Sequence, residues 1–148
     1  MTNERKKSRL RSERGVTLIE MLVVVTIIGL IAALVTVNVF KQGENAKRKL
    51  AQADINTFMN ALNLYKLDTG TFPTTDQGLQ ALRVKPEGVT NWAGPYLQRD
   101  IPLDQWGHPY LYKYPGEHGE EPDIVSLGAD GQPGGEGANA DIVSWQQK

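Results

Sequence analysis

The chain has 148 residues, enough for one domain of ordinary size, and a net charge of −1. It has no cysteine, which excludes a disulfide framework, a Cys-based zinc site and a thiol nucleophile. Six basic residues against two acids leave residues 1–15 at +4, so the rest of the chain stands at −5. A nucleic-acid binder spreads its Lys and Arg over the folded surface, so this polarity argues against one. A short basic head beside an apolar stretch is a membrane-topology signal.

The first element follows directly. "RGVTLIEML" (14–22) leads into an apolar run, and from Met21 to Phe40 there are 20 uncharged residues, mostly Val, Ile, Leu and Ala. That length spans a bilayer as a helix. A cleaved secretory signal is shorter and ends in a small-residue site, and neither applies here. The positive-inside rule keeps the basic head in the cytoplasm and puts 41–148 on the far side. Glu20 is out of place in such a run, because an ionised side chain in hydrocarbon costs on the order of 2–4 kcal/mol. It calls for a partner.

Between Glu44 and Leu67 the pattern becomes amphipathic. Ala51, Ile55, Phe58, Leu62 and Tyr65 recur at helical spacing and make one apolar face. No proline occurs before Pro73, so a single helix from about Val16 to Leu67 is expected, roughly 78 Å long at 1.5 Å per residue. Gly29 and Gly43 are candidate bends. Gly70 is the expected C-terminal cap. Lys47, Arg48 and Lys49 read as a solvated face, the alternative being pairing between subunits with acids such as Asp54.

Beyond the helix, "TTDQGLQALRV" (74–84) reads as a short helix capped by Thr74 or Thr75, and 84–104 as irregular. "PYLYKY" (109–114), "DIVSL" (123–127) and "DIVSW" (141–145) read as short strands. Three antiparallel strands covering the apolar helix face give an α+β head. The loop "GADGQPGGEGANAD" (128–141) has five glycines and four side-chain oxygen donors: Asp130, Glu136, Asn139 and Asp141. Its spacing is not that of an EF-hand. Calcium nevertheless accepts six to eight oxygens at loose geometry, and Asp130 and Asp141 stand at the two mouths of the loop. A flexible hairpin connection is the competing reading. His108 and His118 read as surface or turn residues, and Trp92, Trp106 and Trp145 as core or cap residues. Asp68, Asp76 and Asp104 read as turn or capping acids, and no constellation of catalytic side chains stands out.

"RGVTLIEMLVVVTIIGLIAALV" resembles the class III signal and N-terminal helix of the type IV pilin-like superfamily. "LDTGTFPTTDQGLQAL" (67–82), "DQWGHPY" (104–110), "PGEHG" (115–119) and "SLGADGQPGGEG" (126–137) resemble, more narrowly, the major pseudopilins of the type II secretion system. The resemblance covers nearly all of 14–145. It implies a type IV pilin-like α+β fold, with a long helix (transmembrane half, then amphipathic half) packed on a three-stranded antiparallel sheet. It also implies a basic leader at 1–15, an assembly helix at 16–40, a periplasmic head at 41–148 and a calcium loop at 127–141. By resemblance, a prepilin peptidase cuts between Gly15 and Val16, and the new amine of Val16 is N-methylated. The product polymerises into the periplasmic pseudopilus, with minor pseudopilins and an inner-membrane assembly platform as partners. Filament growth drives folded proteins through the outer membrane, and the subunit is not an enzyme. Carried over residue by residue, the calcium ligands are Asp130 and Asp141 by side chain, Leu127 by its carbonyl, and Asn139.

Two positions depart from the family pattern: Val16 stands where Phe is usual, and Gln105 where many members have Pro. Once an amine is freed at Val16 it is positive near neutral pH. A neighbour displaced axially brings that amine beside Glu20, and repeating the shift builds an open helical assembly. Glu20 is thus the expected assembly residue. The remaining readings are a type IV pilin of an adhesion or DNA-uptake fibre, a monomeric membrane-tethered calcium-binding module, and a peripheral enzyme on an N-terminal anchor. Type IV pilins often carry a C-terminal disulfide loop, which a chain without cysteine cannot form.

Overall fold

The computed structural model describes residues 15–146, with the side chains of 34–41 excepted. The leader expected at 1–15 lies outside the described residues apart from Gly15. The chain divides into two compact units, Met1–Phe40 and Lys41–Lys148. Helix α1 (Leu18–Thr69) contributes to both.

In the first unit, Thr17 caps α1. Its hydroxyl accepts the Glu20 N–H at 3.3 Å, so the helix starts two residues later than expected, with Glu20 in its first turn. The pair is half of a capping box. Every described side chain from 15 to 33 is exposed, Leu18, Ile19, Leu22 and Ile28 among them. Among the described residues no helix is long and apolar enough to cross a membrane. The span expected at 21–40 runs into side chains outside the description.

The second unit is built on the rest of α1. Ala51, Ile55, Phe58, Leu62 and Tyr65 are all buried, as their spacing requires, and Ala61 joins them. They pack with Phe72, Leu79, Leu82, Tyr110, Ile124 and Ile142 in one core. The helix ends at Thr69, where Gly70 takes a positive φ of 86° and donates to the Lys66 carbonyl at 2.8 Å. The helix expected at 74–84 is realised as turns followed by a 3-10 helix, Leu79–Leu82. Thr74 is its cap. The Gln77 N–H reaches the Thr74 hydroxyl (3.3 Å), and the Thr74 N–H reaches Gln77 Oε1 (2.9 Å). Gly78, at φ 58°, interrupts the α conformation there.

The sheet is antiparallel in the order β1 (Leu111–Lys113), β2 (Asp123–Ser126), β3 (Ile142–Val143). Tyr112 faces Ile124, and Ser126 faces Ile142. The outer strands are shorter than expected because hydroxyl side chains end them. Thr75 Oγ1 both accepts the Tyr114 N–H and donates to the Tyr114 carbonyl, each at 3.0 Å. Ser144 Oγ accepts the Ile124 N–H at 3.0 Å, which leaves Trp145 in a 3-10 turn, Ser144–Gln146. Both contacts satisfy backbone groups that a longer ladder would otherwise pair.

Candidate functional site: the glycine loop and the helix start

The loop between β2 and β3 opens at Leu127 and closes at Asp141. Gly128, Gly131, Gly134, Gly135 and Gly137 all take positive φ, so the loop turns repeatedly without side-chain crowding. At Gly128 the need is acute. A Cβ there would meet the carbonyl oxygens of Ala140, Asn139 and Ala138 at 3.0, 3.0 and 3.1 Å. Three carbonyls therefore converge over one glycine.

Asp141 is fastened into the loop twice. Its N–H donates to the Gly134 carbonyl (3.2 Å), and its Oδ2 accepts the Gly134 N–H (3.0 Å). Its other oxygen, Oδ1, is buried with no hydrogen-bond partner. Asp130 sits exposed at the opposite mouth, where Oδ1 accepts the Gln132 N–H at 3.1 Å. Asn139 ends the 3-10 turn Gly137–Asn139 with its residue exposed, and Leu127 is half-buried. Glu136 is exposed. Among the described residues no three His, Cys, Asp or Glu side chains form a group set for a metal. A cation here would rely on main-chain carbonyls, which is what a glycine-rich loop can turn inward.

Three residues outside the loop hold it. Arg48, on α1, donates from Nη1 to the Ala140 carbonyl and from Nη2 to the Asp141 carbonyl at 3.4 Å. His108 Nδ1 lies 3.1 Å from the Gly128 carbonyl, and its ring occupies the space a Cβ on Gly131 would need. Asp104 anchors the turn that carries His108. One carboxylate oxygen accepts the N–H groups of Trp106 (3.0 Å) and His108 (2.8 Å), and the other accepts the Ser126 hydroxyl (2.6 Å).

The basic cluster is thus not simply a solvated face. Lys47 pairs with Glu44 at 3.1 Å, Arg48 reaches the loop, and only Lys49 carries no contact of this kind among those described. Hydrogen bonds from Trp106 Nε1 (3.0 Å) and Lys47 hold the Glu44 carboxyl below its ordinary range. Asp54, named for the alternative of pairing between subunits, is engaged within the chain by Tyr110 (2.8 Å) and Gln105 (3.3 Å). The turn role read for Asp104 holds. Arg48 escaped notice because its partners are backbone oxygens more than ninety residues away, which leave no mark in composition or spacing. His118 bonds the buried Asp123 (2.9 Å) and stacks flat on Trp145, with ring centroids 3.7 Å apart.

At the other end of the chain, Gly15 and Val16 precede the helix outside regular secondary structure, with Val16 60% exposed. Glu20 is also exposed. A protease could reach the Gly15–Val16 bond, and the Glu20 carboxylate stands clear for a partner.

Comparison with known proteins agrees with this architecture. The family model "Type II secretion system (T2SS), protein G" matches residues 38–145, and the prokaryotic N-terminal methylation motif matches 10–36. The type II secretion system core protein G of Vibrio cholerae is 46% identical, covering 93% of this chain and 94% of that one. That of Pseudomonas aeruginosa is 45% identical over 91% and 96%. The crystal structure of the major pseudopilin from the type 2 secretion system of enterohaemorrhagic Escherichia coli superposes with a TM-score of 0.61 at 35% identity, over 74% of this chain and 96% of that one. With more than half of the chain matched by the family model and near-full-length relatives above 40% identity, the chain belongs to the type II secretion system protein G family, the major pseudopilins.

Proposed function

We propose that the chain is the repeating subunit of a periplasmic pseudopilus anchored in the inner membrane, whose growth drives folded proteins towards the outer membrane. The observation that carries this reading is the apolar start of α1, exposed on every side from 18 to 33. A helix apolar all round is stable only when covered. Lipid supplies the cover before assembly, and neighbouring helices supply it in the filament. The N-terminus is cytoplasmic and the head periplasmic. A prepilin peptidase cuts between Gly15 and Val16, Val16 is N-methylated, and Glu20 receives the amine of the next subunit. Minor pseudopilins and an inner-membrane platform are the further partners. The subunit acts as building material and not as an enzyme.

The intact mass of the membrane-extracted protein tests the processing: a start at Val16 with one added methyl is expected. Crosslinking in membranes tests the polymer, with a ladder of oligomers as the expected result. A chain retaining residues 1–15, or a lone monomer, overturns the reading.

The loop at 127–141 is, on the same proposal, a calcium site. Its support is the buried, unpartnered Oδ1 of Asp141, since an ionised oxygen in that position is costly until something positive meets it. Asp130, Asn139 and the Leu127 carbonyl are the companion ligands. Bound calcium supplies two positive charges that offset the two aspartates and tie together the ends of the loop. Excess chelator is expected to lower the melting temperature, because a ligand bound only to the folded state stabilises it. An unchanged melt rejects the site.

A further inference from the structure

The loop is tied at both ends to one turn of α1. At its entry, the Gly128 carbonyl meets His108, whose turn also carries Trp106. Trp106 Nε1 bonds Glu44 at 3.0 Å. At its exit, the carbonyls of Ala140 and Asp141 accept the guanidinium of Arg48, one helical turn beyond Glu44. The circuit closes through the helix backbone. Arg48 is the only member of it that reaches the main chain of Asp141, whose carboxylate has a buried oxygen with no partner.

We infer that Arg48 is a positioning residue for the cation site, an inference that rests on the calcium reading of the loop. The guanidinium is planar and rigid, so two donors fix two successive carbonyls in one plane. Holding the carbonyl of Asp141 holds the backbone from which its carboxylate projects, while the Gly134 N–H holds Oδ2. Residues of this outer kind typically change metal affinity by about 10–100-fold when removed. A competing effect has the opposite sign, because a guanidinium near a divalent cation repels it. The guanidinium bonds carbonyl oxygens and not the free Oδ1, which favours positioning over repulsion.

The test is calcium titration of the processed full-length protein in detergent micelles by calorimetry, with melting curves in calcium and in chelator. Arg48→Met is expected to weaken calcium binding on the order of tenfold. Its melting temperature in chelator should stay close to wild type while the increment given by calcium shrinks. Arg48→Lys keeps the charge but offers no planar fork, and should fall between the two. If Arg48→Met fails to fold, Arg48→Lys supplies the measurement. Affinity unchanged or tightened in the variants overturns the inference and leaves the calcium reading intact. So does a loss of stability in chelator with the full calcium increment retained, which marks a merely structural contact. Absence of calcium binding by wild type overturns the calcium reading itself, and the inference with it.

Discussion

The Ser126 hydroxyl donates to the Asp104 carboxylate at 2.6 Å, and both residues are buried. This bond joins the end of β2 to the turn at 104–108. The same carboxylate accepts two N–H groups within that turn. Asp104→Ala strands all three donors. Each buried donor left unmade costs about 1–3 kcal/mol, so a loss of roughly 3 kcal/mol is expected after partial relaxation. Ser126→Ala removes one donor and should cost about 1 kcal/mol. Urea unfolding followed by circular dichroism checks both, and equal effects would show that the turn bonds do not matter.

Much of this arrangement was legible in the sequence, and the boundary is instructive. Ala51, Ile55, Phe58, Leu62 and Tyr65 were readable as a core face because helical periodicity is local. The three strands were readable in place and in order, but not in length. Thr75 and Ser144 end them through side-chain bonds to Tyr114 and Ile124, residues 39 and 20 positions away. At the loop, Asp130 and Asp141 announce themselves by type. The convergence of three carbonyls over Gly128 and the reach of Arg48 are products of tertiary folding.

Gly128 offers a direct probe of that convergence. Its φ is 65°, and an added Cβ would lie 3.0–3.1 Å from three carbonyl oxygens. Gly128→Ala therefore combines left-handed strain, about 1 kcal/mol, with a backbone contact that must give way. A loss of about 2 kcal/mol is expected, with amide shift changes centred on 138–140 in NMR spectra. Gly134→Ala is the control, since its Cβ site is open though its φ is also positive. Equal losses in the two variants would assign the whole effect to φ.

Buried tyrosines make the head sensitive to alkali, Tyr110 and Tyr112 most strongly. Burial pushes the Tyr110 phenol far up, and the bonded Asp54 carboxylate adds to the shift. Burial likewise pushes up Tyr112, whose hydroxyl donates to the Pro73 carbonyl at 2.7 Å. Unfolded tyrosine ionises near pH 10. The folded state holds its proton longer, so the stabilisation is fully present below about pH 10 and is lost as pH rises above it. Urea midpoints measured from about pH 8 to 12 should be level at first and then fall. Tyr65 and Tyr96 are pushed up in the same direction, so Tyr112→Phe removes one of four groups and should flatten the fall in part. A midpoint that declines equally in the variant would exclude Tyr112 as a source.

On the proposed reading, Glu20 links the helix start to assembly. Its backbone N–H is engaged by Thr17, and its side chain is exposed in the first turn of α1. The positive end of a helix favours a carboxylate there and disfavours a freed amine at Val16, just ahead of it. The amine is better placed beside the carboxylate of a neighbouring copy, where lipid and packed helices lower the dielectric. Removing one partner of such a pair costs about 2–5 kcal/mol, so each subunit addition is expected to weaken roughly thirtyfold or more. Glu20→Val should leave the Thr17 cap and cleavage after Gly15 intact, seen as a mature mass, while the crosslinked ladder disappears. Glu20→Gln keeps size and hydrogen bonding but not charge. Loss of the ladder in both variants assigns the effect to charge, whereas rescue by Gln assigns it to hydrogen bonding alone. Normal filaments from Glu20→Val would remove Glu20 from the assembly contact.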